Sequence, residues 1–337
     1  MNHSQNLPRE SNVKPLISNE LYAIFDMVLV QYLLTGISAF GVVSNLINIV
    51  VYAKMGFSDT SNINFLALSL ADLVTVLYML ITALGHIPAV VKLDIPVAPF
   101  SVQNILVPVL YPAMAYSSWV TALISTERCM CIAYPLKVKT MFTTRRVFIV
   151  LLVLLCFEVS SMVPHYLTMN LTWKMSTATN KSILHFSFTE YSAKVSVTIL
   201  LVFFSIPSLI SFAEIVVCTI FLVVKLCKSL QWRKSTVAQP DKKVSMRELK
   251  IVRFVVSICI IYIICFSPNV IILPISMANP RLHVMDPYLG NLVWVIFYVG
   301  IVMQSFSSSA NIFVYYSMST KYKVTLRRDI CGFDLKN

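Results

Sequence analysis

The sequence is short of charge and of glycine. Only 12% of its 337 residues are Asp, Glu, Lys or Arg, about half the share found in water-soluble domains, whereas 57% are hydrophobic. With 7 glycines, it has neither the repeat of collagen nor the composition of a low-complexity chain. A mean hydropathy of +0.77 completes the pattern of an integral membrane protein.

The net charge of +12 does not indicate a nucleic-acid-binding protein. Such a protein needs its basic residues on one soluble face, whereas here they lie between apolar runs. We therefore expect no nucleic-acid partner. The partner that the composition predicts first is the lipid bilayer.

Seven apolar runs are long enough to cross a bilayer as helices, since a hydrocarbon core about 30 Å thick needs roughly 20 helical residues. Alternating segments of about 10 residues, typical of outer-membrane barrels, are not seen. The sequence predicts an all-α seven-helix membrane protein with an extracellular tail at 1–27, a transmembrane domain at 28–316 and a cytoplasmic helix and tail at 317–337. The predicted spans are 28–53, 62–86, 100–131, 146–167, 194–226, 251–277 and 288–316.

Basic residues predict how these spans are oriented. An extracellular N-terminus places 20 of the 27 Lys and Arg residues on the cytoplasmic side, nine of them between the fifth and sixth spans. Those nine either attract anionic lipid or form a docking surface for a partner protein. Three glycosylation sequons, at Asn2, Asn170 and Asn180, would then all lie outside. The prediction is a multi-pass plasma-membrane protein with a cytoplasmic C-terminus.

All eight cysteines fall within predicted spans or on the inner side. Because disulfides form on the oxidising outer side, we expect none in this chain. Cys331, near the inner leaflet, is a candidate palmitoylation site. No His-Glu-x-x-His or other metal-ligand spacing and no Gly-x-Ser-x-Gly motif is present, so the chain is not expected to be an enzyme.

Some polar residues stand where a bilayer tolerates few. An ionisable group at mid-membrane costs about 2.5–3.5 kcal/mol on insertion scales. Asp72, in the second span, is either an ion or proton site inside the bundle or a structural carboxyl hydrogen-bonded to a neighbour. In the seventh span, residues 305–311 include four serines and one asparagine, so this face must look into the bundle. For the serines, small-residue packing is the alternative to a site.

Glu127 and Arg128 lie at the end of the third span. They are either an interfacial ion pair at a helix end or a switch, in which a carboxylate holds Arg128 and can release it. Glu248, just before the sixth span, is a candidate second carboxylate. Pro207 and Pro268, in the fifth and sixth spans, free backbone carbonyls and allow kinks.

Together these features resemble the rhodopsin-like (class A) G-protein-coupled receptors over residues 28–330. No single motif is diagnostic, but six near-matches occur in the right order on the right helices. They are Gly41–Asn45, Leu68 with Ala71–Asp72, Glu127–Cys129, Pro207, Cys265–Pro268 and Asn311–Tyr315. The segment from Gly56 to Asn64 also resembles the invertebrate chemosensory-type receptors.

The resemblance implies two internal sites. Asp72, Ser117, Ser307 and Asn311 correspond to the family's sodium pocket, so a structural sodium ion is the one bound group to expect. The switch and coupling residues would be Glu127, Arg128, Glu248, Tyr315, Phe266 and Pro268. The resemblance implies that the carboxylates restrain Arg128, that Tyr315 swings inward on activation, and that residues 319–329 form a short amphipathic eighth helix. The implied inner partners are a heterotrimeric G protein and arrestin.

The sequence also departs from the family pattern. Gln103 stands where the family has its disulfide cysteine, and the outer loop at 165–190 has no cysteine, so the outer face must be held in another way. Ser305 replaces the lysine that carries retinal, so no retinal cofactor is expected. Leu110 replaces the acid that binds amines in aminergic receptors.

The resemblance implies a ligand pocket that is mostly apolar, as ligand pockets generally are. Its expected lining is Met79, Tyr111, Met114, Ile199, Phe203, Phe266, Asn269, Phe297 and Ile301. Ordinary bundle packing is the alternative for each of these residues. The implied function is a receptor that binds an extracellular ligand, a small chemosensory molecule or a peptide, and activates a heterotrimeric G protein. The alternative function is a seven-span ion or solute transporter that uses Asp72.

Overall fold

The computed structural model describes residues 14–91, 93, 96–97, 99–175, 182–187, 189–235, 242–278, 282 and 286–329. In this part of the chain, seven helices are long and apolar enough to cross a membrane, and a short helix follows the seventh. The predicted all-α bundle is therefore confirmed. The helices are α1 (Asn19–Met55), α2 (Thr60–Leu84), α3 (Pro99–Ala133), α4 (Thr144–Ser161), α5 (residues 190–235), α6 (Lys242–Ala278), α7 (Gly290–Met318) and α8 (Thr320–Asp329).

Polar side chains at the first turns determine where several helices begin. Asp59 Oδ1 accepts from the Ser61 backbone N–H at 3.1 Å and caps α2, and Thr143 does the same for α4. Thr189 and Ser192 form a reciprocal capping box at the start of α5. The α1 helix ends at Gly56, whose φ of +81° suits a residue without a Cβ atom.

The first helix begins at Asn19, whereas the hydropathy pattern predicted 28, so residues 19–27 belong to the bundle and not to a tail. Ser18 caps this extension, accepting from the Leu21 backbone N–H at 3.2 Å. The extension is attached to α7 by a 2.7 Å hydrogen bond between the hydroxyls of Tyr22 and Tyr298. Polar residues in the first turns of α1 lower its hydropathy, which is why the apolar run begins later than the helix.

The fifth helix changes its winding in its first half. It is α-helical over Glu190–Ile199 and Ile206–Ser235, with a π-helical turn at Leu200–Ser205 between them. Pro207 follows this turn and has no N–H to donate, which favours a local departure from α-helical hydrogen bonding. Because a π turn contains more residues than an α turn, it changes which side chains face the bundle.

The helices enclose α3, which contacts α2, α4, α5 and α6. The α7 helix packs on α1, α2 and α6, and α4 lies at the edge against α2 and α3. Outward-facing residues such as Val153, 61% exposed, and Phe148, 59% exposed, are apolar, as a lipid-facing surface requires. Gly41 is a point of close approach, because a Cβ atom there would overlap Ser309 Oγ and lie 2.9 Å from Val76.

A two-stranded antiparallel hairpin lies between α4 and α5. It consists of β1 (Asn170–Met175) and β2 (Ser182–Ser187), with Asn170 paired to Ser187 and Met175 to Ser182. The backbone N–H of Leu184 donates to Pro96 O at 2.8 Å, just before α3. The hairpin thus lies against the same end of the bundle as the start of α3.

Candidate functional site

A small cavity opens between α2, α3, α5, α6 and α7, in the half of the bundle that carries the hairpin. Its volume is about 30 Å³. Six of the nine residues predicted to form a ligand pocket line it: Met79, Tyr111, Met114, Asn269, Phe297 and Ile301. Five further residues complete the wall: Leu110, Phe204, Pro268, Ile272 and Ile296. We call this space the upper cavity.

The other three predicted residues do not line the upper cavity. Phe203 packs on Phe157 of α4, with ring centroids 6.0 Å apart, and Phe204 faces the bundle instead, edge-on to Tyr111 at 4.7 Å. The π turn of α5 accounts for this shift of one residue. Ile199 is buried elsewhere in the packing. The resemblance, from which the lining was predicted, gave no sign of the extra residue in this turn.

Phe266 is fully buried beside the upper cavity, outside its lining. Its ring stacks on Tyr262, one turn earlier in α6, at a centroid distance of 4.9 Å. It also lies 6.5 Å from the ring of Phe212 on α5. Pro268, two residues further along α6, reaches the cavity wall directly. A change in the cavity can therefore act on α6 through its proline.

The structure brings the four predicted sodium-site residues together. Ser117 Oγ donates to Asp72 Oδ1 at 3.1 Å, and Asn311 Nδ2 donates to Asp72 Oδ2 at 2.9 Å. These residues and Ser307 line a space of about 10 Å³, which is room for about one water-sized particle. We call this space the Asp72 cavity.

The residues of the Asp72 cavity suit a small cation. Hard cations prefer carboxylate, hydroxyl and amide oxygens, and Asp72, Ser117 and Ser307 supply the first two kinds. Gln304, which sequence reasoning did not single out, also lines the cavity, and its buried Oε1 has no hydrogen-bond partner among the described residues. An unpartnered buried oxygen beside a buried carboxylate fits a positively charged occupant.

A larger cavity, of about 510 Å³, opens at the opposite end of the bundle. We call it the lower cavity. Its wall combines both predicted residues of the third span with residues from α1, α2, α6 and α8. They are Tyr52, Met55, Asp59, Ser61, Asn62, Phe65, Glu127, Arg128, Phe254, Val255, Ser319, Thr320 and Lys321.

In the lower cavity, α2 restrains both members of the Glu127–Arg128 pair. Glu127 accepts from Thr60 Oγ1 at 2.6 Å and from Asn64 Nδ2 at 2.9 Å. Arg128 Nη2 donates to Ser61 Oγ and lies 3.7 Å from Glu127 Oε1. The buried Nε of Arg128 has no hydrogen-bond partner in the described part of the chain. Sequence reasoning found the pair but not its three α2 contacts.

The side chain of Glu248, the second predicted restraint on Arg128, lies outside the described residues. The Arg128–Glu248 pair therefore stays a prediction. The same holds for Asn2 and Asn180 as glycosylation sites and for Cys331 as a palmitoylation site, since all three lie outside the described residues. Asn170 is described, and it is the first residue of β1.

Tyr315, the last predicted switch residue, is fully buried in an aromatic cluster. Its ring lies 5.1 Å from Tyr52, 5.3 Å from Phe65, 5.8 Å from Phe254 and 5.6 Å from Tyr322. The cluster thus joins α1, α2, α6, α7 and α8. No sequence spacing relates these rings, since each comes from a different helix.

Tyr322 attaches α8 to the bundle. Its hydroxyl donates to Asn48 Oδ1 of α1 at 2.6 Å. Burial raises the pKa of Tyr322, so the phenol stays protonated and remains a donor. On the exposed side of α8, Arg328 Nε lies 2.6 Å from Asp329 Oδ1. This contact holds the pKa of the Asp329 carboxyl below its usual value. The predicted eighth helix is therefore anchored by a buried aromatic residue.

Polar contacts hold the hairpin end of the bundle at the position where the family places a disulfide. Gln103 Nε2 lies 3.2 Å from His86 Nε2, and His86 Nδ1 lies 2.8 Å from Asp26 Oδ1. Nearby, the fully buried Ser101 Oγ accepts from the backbone N–H of Phe186 at 2.8 Å. The described cysteines are all free thiols. Hydrogen bonds thus link α3 to α1, to the α2 end and to the hairpin.

The sequence analysis did not identify two carboxylates within the membrane-spanning helices, of which Glu158 is buried and Glu214 is partly buried. Glu158 of α4 is fully buried and accepts from Trp119 Nε1 at 3.1 Å. Glu214 of α5 accepts from Thr126 Oγ1 at 2.5 Å. Each stands alone in an apolar run, and that isolation was the signal that could have identified it.

One comparison with known proteins finds a match. The family model described as 7 transmembrane receptor (rhodopsin family) matches residues 44–315, from α1 to Tyr315. This range covers more than half of the chain and contains the Asp72 cavity and both members of the Glu127–Arg128 pair. A search of curated proteins finds no match.

Proposed function

Because the chain belongs to the rhodopsin family of seven-transmembrane receptors, we propose that it transmits the binding of an extracellular ligand to a heterotrimeric G protein. Family membership and the seven apolar helices make it a multi-pass plasma-membrane receptor. The proposed orientation has the N-terminus outside and the C-terminus inside, which is supported by the excess of Lys and Arg on the segments placed inside. The upper cavity then faces outward and the lower cavity faces the cytoplasm.

The observation that carries the proposal is the lower cavity with Arg128 in its wall. The cavity is wide enough to receive a segment of a partner protein, and it is the larger of the two end cavities described above. Arg128 is held there by Ser61, with its Nε unpartnered among the described residues. A guanidinium held by neutral and acidic neighbours can exchange them for partner carbonyls without leaving the cavity. Arrestin is proposed as a second partner for the same surface.

In this mechanism the ligand shifts the balance between two conformations. It contacts Pro268 and Phe297 in the upper cavity and favours a repacking of α6 around Phe266. The α6 helix also contributes Phe254 to the cluster around Tyr315. Movement of α6 therefore loosens this cluster and widens the lower cavity beside Arg128. The protein performs no covalent chemistry in this scheme.

A sodium ion in the Asp72 cavity belongs to the same proposal. Asp72, Ser117, Ser307 and Asn311 would hold it, with Gln304 as a further oxygen donor. The ion supplies the positive charge that makes a buried carboxylate tolerable between the two other cavities. Asp72 and Asn311 also join α2 to α7 by their hydrogen bond. Occupancy of the cavity thus favours the conformation in which these helices stay together.

Basal nucleotide exchange tests the proposed coupling without a ligand. We would compare wild type, Glu248→Ala and Arg128→Leu on a panel of G proteins, at matched surface expression. Loss of a restraining carboxylate should raise basal exchange, and loss of Arg128 should abolish it. Arg145→Leu, which removes an exposed basic residue at the start of α4, is the matched control. Equal rates in all variants on every G protein would contradict the proposal.

The transporter alternative has its own test. A transporter that uses Asp72 should carry an ion flux across the membrane, and Asp72→Asn should abolish that flux. A receptor should carry none. The Asp72 cavity, with room for about one small particle, favours a binding site over a conducting path.

A further inference from the structure

We propose that the upper cavity selects an uncharged, mainly apolar small molecule that carries one hydrogen-bonding group. This inference rests on the proposed function, since it names the class of ligand that the receptor would recognise. Of the two ligand classes considered, a small chemosensory molecule and a peptide, this inference selects the small molecule. A peptide could reach the cavity only with an uncharged apolar side chain.

Among the described residues, the cavity wall contains no charged side chain. Its eleven residues are apolar except for Tyr111 and Asn269. Transferring an ionised group from water into such a space is costly, because no opposite charge compensates for the lost hydration. Asp72 cannot serve as the counter-charge, since it lines the separate Asp72 cavity and is engaged by Ser117 and Asn311 there. An ammonium or carboxylate ligand is therefore disfavoured.

Two residues of the wall, Tyr111 and Asn269, carry polar groups. Asn269 Nδ2 donates to the Gly300 backbone carbonyl at 3.2 Å, which holds the amide in place. Gly300 allows this contact, because a Cβ atom there would lie 2.5 Å from Asn269 Oδ1. The Tyr111 ring is held edge-on to Phe204, and its hydroxyl makes no hydrogen bond to another described residue. A hydroxyl on an otherwise apolar wall gives orientation and specificity to a bound ligand.

The size of the cavity limits the ligand as strongly as its polarity does. At about 30 Å³, the cavity is smaller than a cavity of about 150 Å³ that can hold benzene, so it must widen to admit even one ring. Met79 of α2 and Met114 of α3 lie on neighbouring helices, and unbranched methionine side chains can rearrange to enlarge such a space. We therefore expect a ligand no larger than a single substituted ring.

A matched series of one-ring probes tests the proposal directly. The probes are toluene, benzyl alcohol, benzylamine and benzoate, which share a ring and differ in charge. The readout is the thermal unfolding midpoint of the purified full-length receptor in nanodiscs at neutral pH, where benzylamine and benzoate are ionised. We expect the two uncharged probes to raise the midpoint and the two ionised probes to leave it unchanged.

Four variants separate binding in the cavity from effects on the lipid. Met114→Trp fills the cavity and should abolish the shift given by toluene. Tyr111→Phe should weaken the binding of benzyl alcohol about fivefold and leave the binding of toluene unchanged, since it removes only a hydroxyl. Leu110→Asp should create a response to benzylammonium, and the uncharged Leu110→Asn should not. Because Leu110→Asp could fail to fold, the wild-type series and Met114→Trp decide the matter without it.

Three results would overturn the inference: equal stabilisation by ionised and uncharged probes, no stabilisation by either uncharged probe, or an unchanged toluene response in Met114→Trp. None of these measurements involves a G protein. A receptor that fails the nucleotide-exchange test but binds only uncharged probes would refute the coupling and keep the ligand class. A receptor that passes the nucleotide-exchange test but binds ionised and uncharged probes equally would refute the ligand class and keep the coupling.

Discussion

His86 Nδ1 lies 2.8 Å from Asp26 Oδ1, and this contact joins the end of α2 to α1 in the absence of the usual covalent link at α3. The same imidazole accepts from the Gln103 amide through Nε2 at 3.2 Å and faces the Tyr298 ring edge-on. One histidine therefore connects four helices at the hairpin end of the bundle.

Replacing this histidine should loosen the outer end of the bundle. His86→Phe keeps a ring against Tyr298 but removes both hydrogen bonds. The side chains of His86 and Asp26 are only 25% and 17% exposed, so water replaces these bonds incompletely. We therefore expect a loss of stability of about 1–2 kcal/mol. Thermal unfolding in nanodiscs measures the effect as a lower midpoint. Tyr32→Phe, at a 67% exposed position on α1, is the control that should change little. Equal midpoints for His86→Phe and wild type would show that the contact does not support the fold.

Reduction should leave the outer face intact. Because the ties at Gln103 and Ser101 are hydrogen bonds, dithiothreitol is expected to shift neither the unfolding midpoint nor proteolysis of the hairpin. A marked loss of stability on reduction would mean that a disulfide contributes, formed by Cys331 or by cysteines that are free thiols here. Tris(2-carboxyethyl)phosphine, a reductant of different chemistry, provides the check on reagent effects.

Release of Arg128 from α2 should raise basal signalling. Ser61→Ala removes the acceptor for Arg128 Nη2, and hydrogen bonds to charged groups contribute about 1.5–3 kcal/mol. The part of that energy that favours the inactive conformation is lost in the variant. Basal nucleotide exchange then rises by up to about tenfold for each 1.4 kcal/mol of this lost energy. Ser58→Ala, at an exposed position in the loop before α2, is the matched control. A rate unchanged by Ser61→Ala but altered by Ser58→Ala would argue against this restraint.

Sodium should stabilise the receptor through Asp72. At constant ionic strength, replacing choline chloride by sodium chloride is expected to raise the unfolding midpoint of wild type, because a ligand that binds only the folded state stabilises it. Asp72→Asn should abolish the difference. Glu158→Gln changes another buried carboxyl, on α4 and outside the Asp72 cavity, and should retain the sodium response. A response that survives in Asp72→Asn would place the cation elsewhere.

Alanine substitution at two glycines of α1 should have opposite effects on stability. A Cβ atom at Gly41 would overlap Ser309 Oγ and crowd Val76, so Gly41→Ala should destabilise the receptor by about 1–3 kcal/mol. At Gly36 the same atom meets nothing within 4 Å, so Gly36→Ala should be neutral or stabilise by about 0.5–1 kcal/mol. Unfolding midpoints of the two variants, measured side by side, test the close packing of α1 against α7. Similar midpoints for both would contradict it.

Hydropathy predicted the seven spans because the bilayer requirement is local: each helix must be apolar over its own length, whatever it packs against. The error at α1 has the same origin. Residues 19–27 are polar enough to lower the hydropathy, and their helix depends on Ser18 and on the contact between Tyr22 and Tyr298, which is 276 residues away in the sequence.

The candidate sites divide in a similar way. Asp72, Ser117 and Asn311 could be assigned from motifs, and the structure brings them within hydrogen-bond distance. The upper cavity could be anticipated in six of nine residues, but the exchange of Phe203 for Phe204 depends on a π turn that no periodicity reveals. The restraints on Glu127 come from α2, and only the packing of α2 on α3 discloses them.

By itself, the sequence determined that this protein crosses a membrane seven times, that its polar motifs follow one family's order, and that its outer end lacks the expected cysteine. These properties depend on composition and on the spacing of residues close in sequence. The bilayer and the hydrogen-bonding needs of the backbone constrain both directly. Only the tertiary structure decided what replaces the disulfide, which phenylalanine lines the upper cavity and how Tyr315 is enclosed. Each of these depends on side chains from several helices meeting at one point, and their distances in space bear no fixed relation to their distances along the chain.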